Sequence, residues 1–167
     1  MDEPDPVGAQ RFEQFYARSW RDAVRWATAL TGSKSAGEDV AQDAFTRLAG
    51  RFGSLANPDG YLRTAVVNGA RDARRSQERR ANRELRIVGA ERPPHDRQHD
   101  QHGDSNLLSV LAGLPYDQRA ALVLRFWGDW DEQAIAEALG CRPATVRSHV
   151  KRGLDALRRE LASKEQS

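Results

Sequence analysis

The sequence contains one cysteine, Cys141, and lacks any long run of apolar residues. A single cysteine excludes an intramolecular disulfide and a zinc module built from several cysteines. The mean hydropathy is −0.74, and no apolar segment approaches the roughly 20 residues that a membrane-spanning helix needs. The acidic start MDEPDPVGAQ also lacks the basic-then-apolar order of a signal peptide. We therefore expect a cytoplasmic protein with no membrane contact.

An excess of charge of one sign is also missing, because 26 Lys and Arg oppose 24 Asp and Glu, for a formal net charge of +2. Bulk charge therefore indicates no partner, and only the distribution of charge along the chain is informative. Glycine-rich phosphate loops and nucleophile elbows are absent as well. We accordingly predict no catalytic residue, no metal and no cofactor.

Apolar residues recur at spacings of three and four through most of the chain, and no alternating segment of strand length occurs. The pattern predicts an all-α protein. Its first helix spans Arg11 to Leu30, and the second begins at Ser35, whose hydroxyl caps the helix while Glu38 completes a capping box. The buried stripe of the second helix is Val40, Ala41, Ala44, Phe45 and Leu48.

The segment from Arg51 to Asn57 shows no sustained period and is predicted to be a loop. Asn57 then offers a cap and Pro58 a favourable first residue for a long helix. That helix has an apolar face at its start and becomes strongly basic towards RDARRSQERRANREL.

The stretch from Arg92 to Asn106 has no large apolar residue, two prolines and three histidines. Such a composition cannot bury enough surface to offset the entropy of ordering. It predicts a flexible linker, 92–106, between two small helical domains, 1–91 and 107–167.

Near the C-terminus, the sequence indicates a helix-turn-helix. Asp131 can cap a short helix, Gly140 can adopt the left-handed turn after it, and Pro143 can open the next helix. The second helix carries a dense positive face of the kind that enters a DNA major groove. We expect the contacts to come from Arg142, Thr145, Arg147, Ser148, Lys151 and Arg152.

Two further features of the N-terminal half are weak signals by themselves. The second helix presents an acidic edge, for which a solvated surface is the ordinary interpretation, formed by Glu38, Asp39, Gln42 and Asp43. Phe52 and Tyr61 accompany the arginines of the long helix, and aromatic rings beside cations suit unpaired bases. Both rings are equally consistent with a place in the core.

Three strings carry a resemblance that covers both halves in order: GEDVAQDAFTRL, PDGYLRTAVVNGARDARR, and LPYDQRAALVLRFWGDWDEQAIAEALGCRPATVRSHVKRGLDAL. Together they resemble the extracytoplasmic-function (ECF) sigma factors of bacterial RNA polymerase, of the sigma-E type. The resemblance implies that the N-terminal half corresponds to sigma region 2 and the C-terminal half to sigma region 4.

The resemblance also implies partners for the surfaces described above. The acidic edge would bind the clamp helices of the largest catalytic subunit of core RNA polymerase, and region 4 would meet the flap of the second large subunit. Region 4 would read the minus-thirty-five element as duplex DNA, and an anti-sigma factor is a possible further partner. Region 2 would bind the minus-ten element as single-stranded DNA through Arg51, Phe52, Ser54, Asn57, Tyr61, Asn68, Arg71 and Arg75.

Two other hypotheses remain open on the sequence. A stand-alone helix-turn-helix regulator would explain the C-terminal half but not the N-terminal strings. An enzyme would need a metal site in the linker, where possible ligands are His95, Asp96, His99, Asp100 and His102. That segment lacks a framework to fix ligand geometry, so we regard the metal site as improbable.

Overall fold

The structure is a computed structural model that describes residues 6–88 and 105–165. In these ranges the chain consists of helices and the turns that connect them and contains no strand, so the prediction of an all-α protein is confirmed. None of the helices in them is long and apolar enough to cross a membrane. The helices are α1 (Pro6–Thr31), α2 (Lys34–Ala49), α3 (Pro58–Val88), α4 (Ser105–Gly113), α5 (Tyr116–Phe126), α6 (Glu132–Leu139) and α7 (Pro143–Glu165), with a 3-10 turn (Phe52–Ser54) before α3.

The N-terminal half is a bundle of α1, α2 and α3. All five residues of the predicted stripe of α2 are buried, which confirms that prediction. The approach of α1 to α2 requires a glycine at position 37, because a Cβ there would lie within 2.7 Å of both the backbone nitrogen and the Cα of Thr28. Helix packing in this half therefore follows directly from residue size and periodicity.

The predicted start of α2 was wrong by two residues. Ser33, not Ser35, is the N-cap: its backbone is extended (φ −141°, ψ 130°) and its hydroxyl accepts from the Ala36 N–H at 3.3 Å. Gly32, with φ +77°, reverses the chain just before it. Ser35 therefore falls inside the first turn, and the capping box with Glu38 does not form.

Caps at two other helix starts are confirmed. The Asn57 side-chain oxygen accepts from the Gly60 N–H at 2.9 Å at the start of α3. Asp131 accepts from the Ala134 N–H at 2.7 Å at the start of α6. An oxygen at the N-cap satisfies one of the orphan N–H groups of a helix end, which makes the two starts sharp.

The C-terminal half is formed by α4 to α7, with α5, α6 and α7 in mutual contact. Of the predicted linker, residues 92–104 lie outside the described residues. Its last two residues belong to α4, which begins at Ser105 rather than at the predicted boundary of 107.

The two halves share one apolar core, a contact that the sequence pattern did not indicate. Helix α1 packs against α4 and α5, and α3 packs against α6. The ring of Trp130 meets Trp26 of α1 edge-on at 5.4 Å, and the Arg63 guanidinium of α3 lies 5.0 Å above it. Arg25 donates to the carbonyl oxygen of Trp127 at 3.0 Å. Trp130 therefore packs between the halves, where it joins α1 and α3 to the helix-turn-helix.

Among the side chains that the structure describes, Arg119 is the largest that is fully buried, and it lies at the centre of this contact. Its Nε donates to the Leu111 carbonyl at 2.7 Å, and its Nη1 donates to the Leu30 carbonyl at 2.9 Å across the two halves. Its Nη2 donates to the carbonyls of Ala112 and Leu114. Burial lowers the pKa of the guanidinium to about 9, which leaves it protonated at neutral pH. A charged donor thereby satisfies carbonyls at the end of α1, in the last turn of α4 and just after it.

Replacing Arg119 by methionine should lower the free energy of unfolding by about 3 kcal/mol, because buried carbonyls lose their donor. Urea denaturation followed by circular dichroism measures the change. Arg125→Met, at an exposed position on the same helix, is the matched control and should stay within about 0.5 kcal/mol of the wild type. Equal losses in the two variants would contradict the role given to Arg119.

Candidate nucleic-acid interface

The turn between α6 and α7 has the geometry of a helix-turn-helix. Gly140 ends α6 in the left-handed region (φ +66°), as predicted, and the Cys141 N–H donates to the Ala136 carbonyl at 3.0 Å. Helix α7 begins at Pro143, as predicted. Burial of Val146 fixes the rotation of α7 about its own axis and turns the opposite face outwards.

The outward face of α7 contains four of the six predicted duplex contacts. Arg142 is exposed just before the helix, and Thr145, Ser148 and Arg152 follow at spacings of three and four, so they share one stripe. The Ser148 hydroxyl donates to the Ala144 carbonyl at 3.1 Å, a bond that leaves its lone pairs accessible. A stripe of short polar groups ahead of a cation matches what a helix presents to base edges and phosphates.

The other two predicted contacts, Arg147 and Lys151, lie on the flank of α7 that faces α6. The Arg147 guanidinium forms an ion pair with Glu132 at the start of α6. Both cations line an open groove, whose apolar floor is Val146, Val150 and Leu154 and whose rim is Arg125, Glu132, Arg147, Lys151, Asp155 and Arg158. In this arrangement a partner other than DNA can also reach them.

The acidic edge of α2 is fully formed. All four of its predicted residues are exposed, on the side of α2 opposite its buried stripe: Glu38, Asp39, Gln42 and Asp43. Asp43 pairs with Arg47 one turn later at 2.7 Å. The surface is therefore a rigid acidic strip supported by the bundle beneath it.

The loop between α2 and α3 exposes Arg51, Ser54 and Asn57. The Ser54 hydroxyl donates to the Arg51 carbonyl at 2.9 Å, while Asn57 is engaged as the cap of α3. Phe52 packs between Phe12 and Phe15, with ring centroids 5.3 and 5.4 Å away. Its half-buried ring thus anchors the loop to α1.

Along α3, four predicted residues share one face at near-heptad spacing: Tyr61, Asn68, Arg71 and Arg75. Asn68 and Arg75 are exposed, whereas Tyr61 is half-buried against the core. The 31 residues of α3 extend this face over about 46 Å. Its distal part, beyond the contact with the C-terminal half, exposes further arginines: Arg79, Arg80 and Arg83.

Arg71 differs from Asn68 and Arg75 because its side chain contacts residues of the C-terminal half. Its Nη2 lies 3.1 Å from the Asp117 carboxylate, and its guanidinium lies 5.2 Å from the ring centre of Tyr116. The Tyr116 hydroxyl in turn donates to the Val67 carbonyl of α3 at 2.6 Å. Burial raises the pKa of this hydroxyl, so the group remains a donor. Tyr116 and Asp117 were not predicted as partners of Arg71. The one available signal was their position just after Pro115, which marks the start of a helix.

Among residues whose side chains are described, no cluster of His, Cys, Asp or Glu could hold a metal ion. The histidines considered as ligands, His95, His99 and His102, lie outside the described residues. Burial raises the pKa of the Cys141 thiol, which disfavours the thiolate that a nucleophile needs.

Comparison with known families gives one match in each half. Residues 15–80 match the family "Sigma-70 region 2", and residues 104–157 match "Sigma-70, region 4". The first match contains α2, the loop and most of α3, and the second contains the helix-turn-helix. The two matches thus cover the surfaces described above.

Similar proteins span nearly the whole chain. It is 35% identical over 162 residues to an RNA polymerase sigma-E factor of Streptomyces avermitilis, with 92% of this chain and 87% of that protein covered. An ECF RNA polymerase sigma factor of Mycolicibacterium smegmatis, SigE, is 29% identical and is covered over 69% of its length.

Among solved structures, the chain resembles the sigma factor RpoE of Bartonella quintana in its complex with the anti-sigma factor NepR. The TM-score is 0.71 at 23% identity, and the match covers 92% of this chain and 98% of that one. The likeness therefore extends over the fold of both halves.

Replacing Glu132 by glutamine should strengthen binding to non-specific duplex DNA about two- to fivefold at low salt, because Arg147 is released from its partner. Fluorescence anisotropy at several salt concentrations measures the affinity. Glu137→Gln removes the same charge from the same helix, where the carboxylate accepts a hydrogen bond from Gln133, and should have less effect. Equal gains in both variants would show that only net charge matters.

Proposed function

The chain belongs to the ECF sigma factors of bacterial RNA polymerase. On that basis we propose which of its surfaces binds each partner during transcription initiation. Like the rest of the family, it binds core RNA polymerase and directs promoter-specific transcription initiation. Sigma factors are non-catalytic initiation factors. We accordingly assign this chain no bond-making chemistry and place its action in the cytoplasm, beside the polymerase.

The acidic edge of α2 is the proposed docking surface for the clamp helices of the largest polymerase subunit. Glu38, Asp39, Gln42 and Asp43 are exposed on one side of a helix whose other side is locked into the bundle. A rigid strip of one sign favours a partner with complementary positive charge and steers its approach. Three of its four side chains are carboxylates, and the two aspartates lie one helical turn apart, with Asp43 also paired to Arg47.

The groove on the flank of α7 is the proposed site for the flap of the second large subunit. Its floor is apolar, and four cations outnumber two carboxylates on its rim. These features suit an amphipathic helix with an apolar face and acidic flanks, which would lie along the groove.

The loop after α2 and the exposed face of α3 are proposed to hold the opened minus-ten strand. Arg51, Ser54 and Asn57 would line a pocket for a flipped base, and Asn68, Arg71 and Arg75 would follow the backbone along α3. Phe52 and Tyr61 would support this surface, and their exposed edges could meet bases. A strand with unpaired bases needs such a mixture of cations and stacking surfaces, which a duplex would not use.

Helix α7 is proposed to read the minus-thirty-five element in the major groove. Thr145, Ser148 and Arg152 form its central stripe, and Arg142 extends it at the N-terminal end. Arg147 and Lys151 would bind phosphates of the DNA backbone at the edge of the major groove. The observation that supports this division is that one chain presents two differently built surfaces: a helix-turn-helix with a polar and basic stripe on α7, and a loop and helix that combine arginines with aromatic rings.

An anti-sigma factor is a further proposed partner. The Bartonella sigma factor was solved with one, and its fold matches this chain across both halves. A protein of that class would compete with the polymerase for the surfaces described above.

Transcription from a promoter library tests the proposal as a whole. Core polymerase with this chain should initiate at a defined set of promoters that core alone does not use. The stand-alone regulator, the remaining alternative, would instead bind its sites without core and leave start-site selection to another sigma factor. A library in which this chain changes no start site would refute the proposed function.

Reversing the charge of α2 tests the docking surface. Asp39→Lys with Asp43→Lys should weaken binding to core polymerase at least about tenfold, without a change in helicity by circular dichroism. The matched control is Asp72→Lys with Glu84→Lys, which adds the same charge at exposed positions of α3. Surface plasmon resonance with immobilised core measures both. Equal affinities for the two double variants would contradict the assignment.

A further inference from the structure

A cavity of about 240 Å³, which we call the arginine cavity, is lined by three arginines: Arg71, Arg74 and Arg75. Glu78 of the same helix and the segment from Pro115 to Asp117 complete its wall. Side chains three and four positions apart on a helix are neighbours, so the three guanidinium groups can reach one ligand. Drug-sized ligands usually occupy cavities of about 300–1,000 Å³. The arginine cavity therefore suits a smaller molecule.

Positive charge is in excess around the arginine cavity. Its three arginines oppose two carboxylates, and each carboxylate already has a partner. Asp117 pairs with Arg71 at 3.1 Å, and Glu78 accepts from the Nε of Arg74 at 3.4 Å. Arg75 is exposed and forms no ion pair with any side chain that the structure describes. The cavity thus retains a cation that can bind an anion.

Arg74 is the arginine whose hydrogen bonding is incomplete. Its side chain is only 18% exposed, and its Nη1 is buried without a hydrogen-bond partner. Buried nitrogens of this kind normally bind a protein acceptor, a water or an ion, because an unsatisfied donor is costly. Burial lowers the pKa of the nearby Arg119 guanidinium, and repulsion from Arg74 lowers it further. An anion beside Arg74 would both accept from Nη1 and offset this repulsion.

The start of α5 supplies further donors to the same cavity. Its N-cap is Pro115, which makes no side-chain hydrogen bond to the first turn. Tyr116 and Asp117, the first two residues of α5, line the cavity. The N–H groups of a first helical turn favour anions, phosphate included. The Asp117 carboxylate offsets part of this effect, but its charge is directed to Arg71.

We propose that the arginine cavity binds a phosphate group, either as free pyrophosphate or as the phosphates of a nucleotide. Arg74 and Arg75 would hold the phosphate oxygens, and a small rotation of the Arg74 guanidinium would bring Nη1 to one of them. Phosphate suits the cavity because its several oxygens can accept from two guanidinium forks and a helix start at once. Arg75 is also a proposed contact of the minus-ten strand, so strand and ligand would exclude each other. Only this last consequence rests on the proposed function.

Isothermal titration calorimetry with the full chain and pyrophosphate tests the site, with NaCl added to keep the ionic strength constant. The wild type should bind one pyrophosphate per chain with saturation. Arg74→Gln should weaken binding at least about tenfold, because charge-assisted donors are lost. The matched control is Arg79→Gln, which removes the same charge from an exposed position of α3 outside the cavity. It should change the affinity less than about twofold, because salt screens a distant charge.

Two further arms sharpen the test. Arg75→Gln alters an exposed residue, so this variant should keep the circular dichroism of the wild type and still bind pyrophosphate about fivefold more weakly. ATP in place of pyrophosphate distinguishes the two sources of phosphate. Equal affinities would show that the cavity recognises phosphates alone, and tighter binding of ATP would add a contact with the nucleoside. Both outcomes support the site.

Several results would overturn the site. They are the absence of saturable pyrophosphate binding by the wild type, binding of ATP but not of pyrophosphate, equal losses in Arg74→Gln and Arg79→Gln, and an unchanged affinity in Arg74→Gln. If Arg74→Gln does not fold, an unchanged affinity in Arg75→Gln decides in the same way. None of these measurements involves core polymerase or promoter DNA. Failure of the site would therefore leave the proposed function intact, and failure to initiate transcription would leave the site intact.

Discussion

The buried guanidinium of Arg119 is the interaction on which the arrangement of the two halves depends. It holds the last turn of α1 to the end of α4 and the residue after it through four carbonyl oxygens. A buried charge is tolerated only where its donors are satisfied, so these carbonyls must stay where they are. That requirement fixes α5 against α1 and brings Tyr116 and Asp117 to α3.

The same arrangement decides which surfaces are available to partners. The acidic edge of α2 and the outward stripe of α7 face away from the shared core and remain exposed. Only part of the face of α3 is exposed, because the start of α5 covers Arg71 but leaves Arg75 accessible.

Local features of this fold could be predicted from sequence, and long-range ones could not. Apolar spacing identified the buried stripe of α2, and turn chemistry identified the caps Asn57 and Asp131 and the left-handed Gly140. Ser33 and Ser35 are both suitable caps, and only the chain reversal at Gly32 decides between them. The bond from Arg119 to Leu30 joins residues 89 positions apart, which no periodicity reveals. The sequence held one local sign that Arg119 is buried. The residue lies three and four positions before Leu122 and Val123, and so shares a helix face with two buried residues.

The distance between the two halves tests the central claim most directly. Donor and acceptor dyes on Ala17→Cys in α1 and Ala162→Cys in α7, with Cys141→Ser to remove the native thiol, report that distance by single-molecule energy transfer. The account predicts one short distance in the free chain and an increase of tens of ångströms when core polymerase and promoter DNA are added. An unchanged distance in the transcribing complex, or a free chain that is already extended, would contradict it.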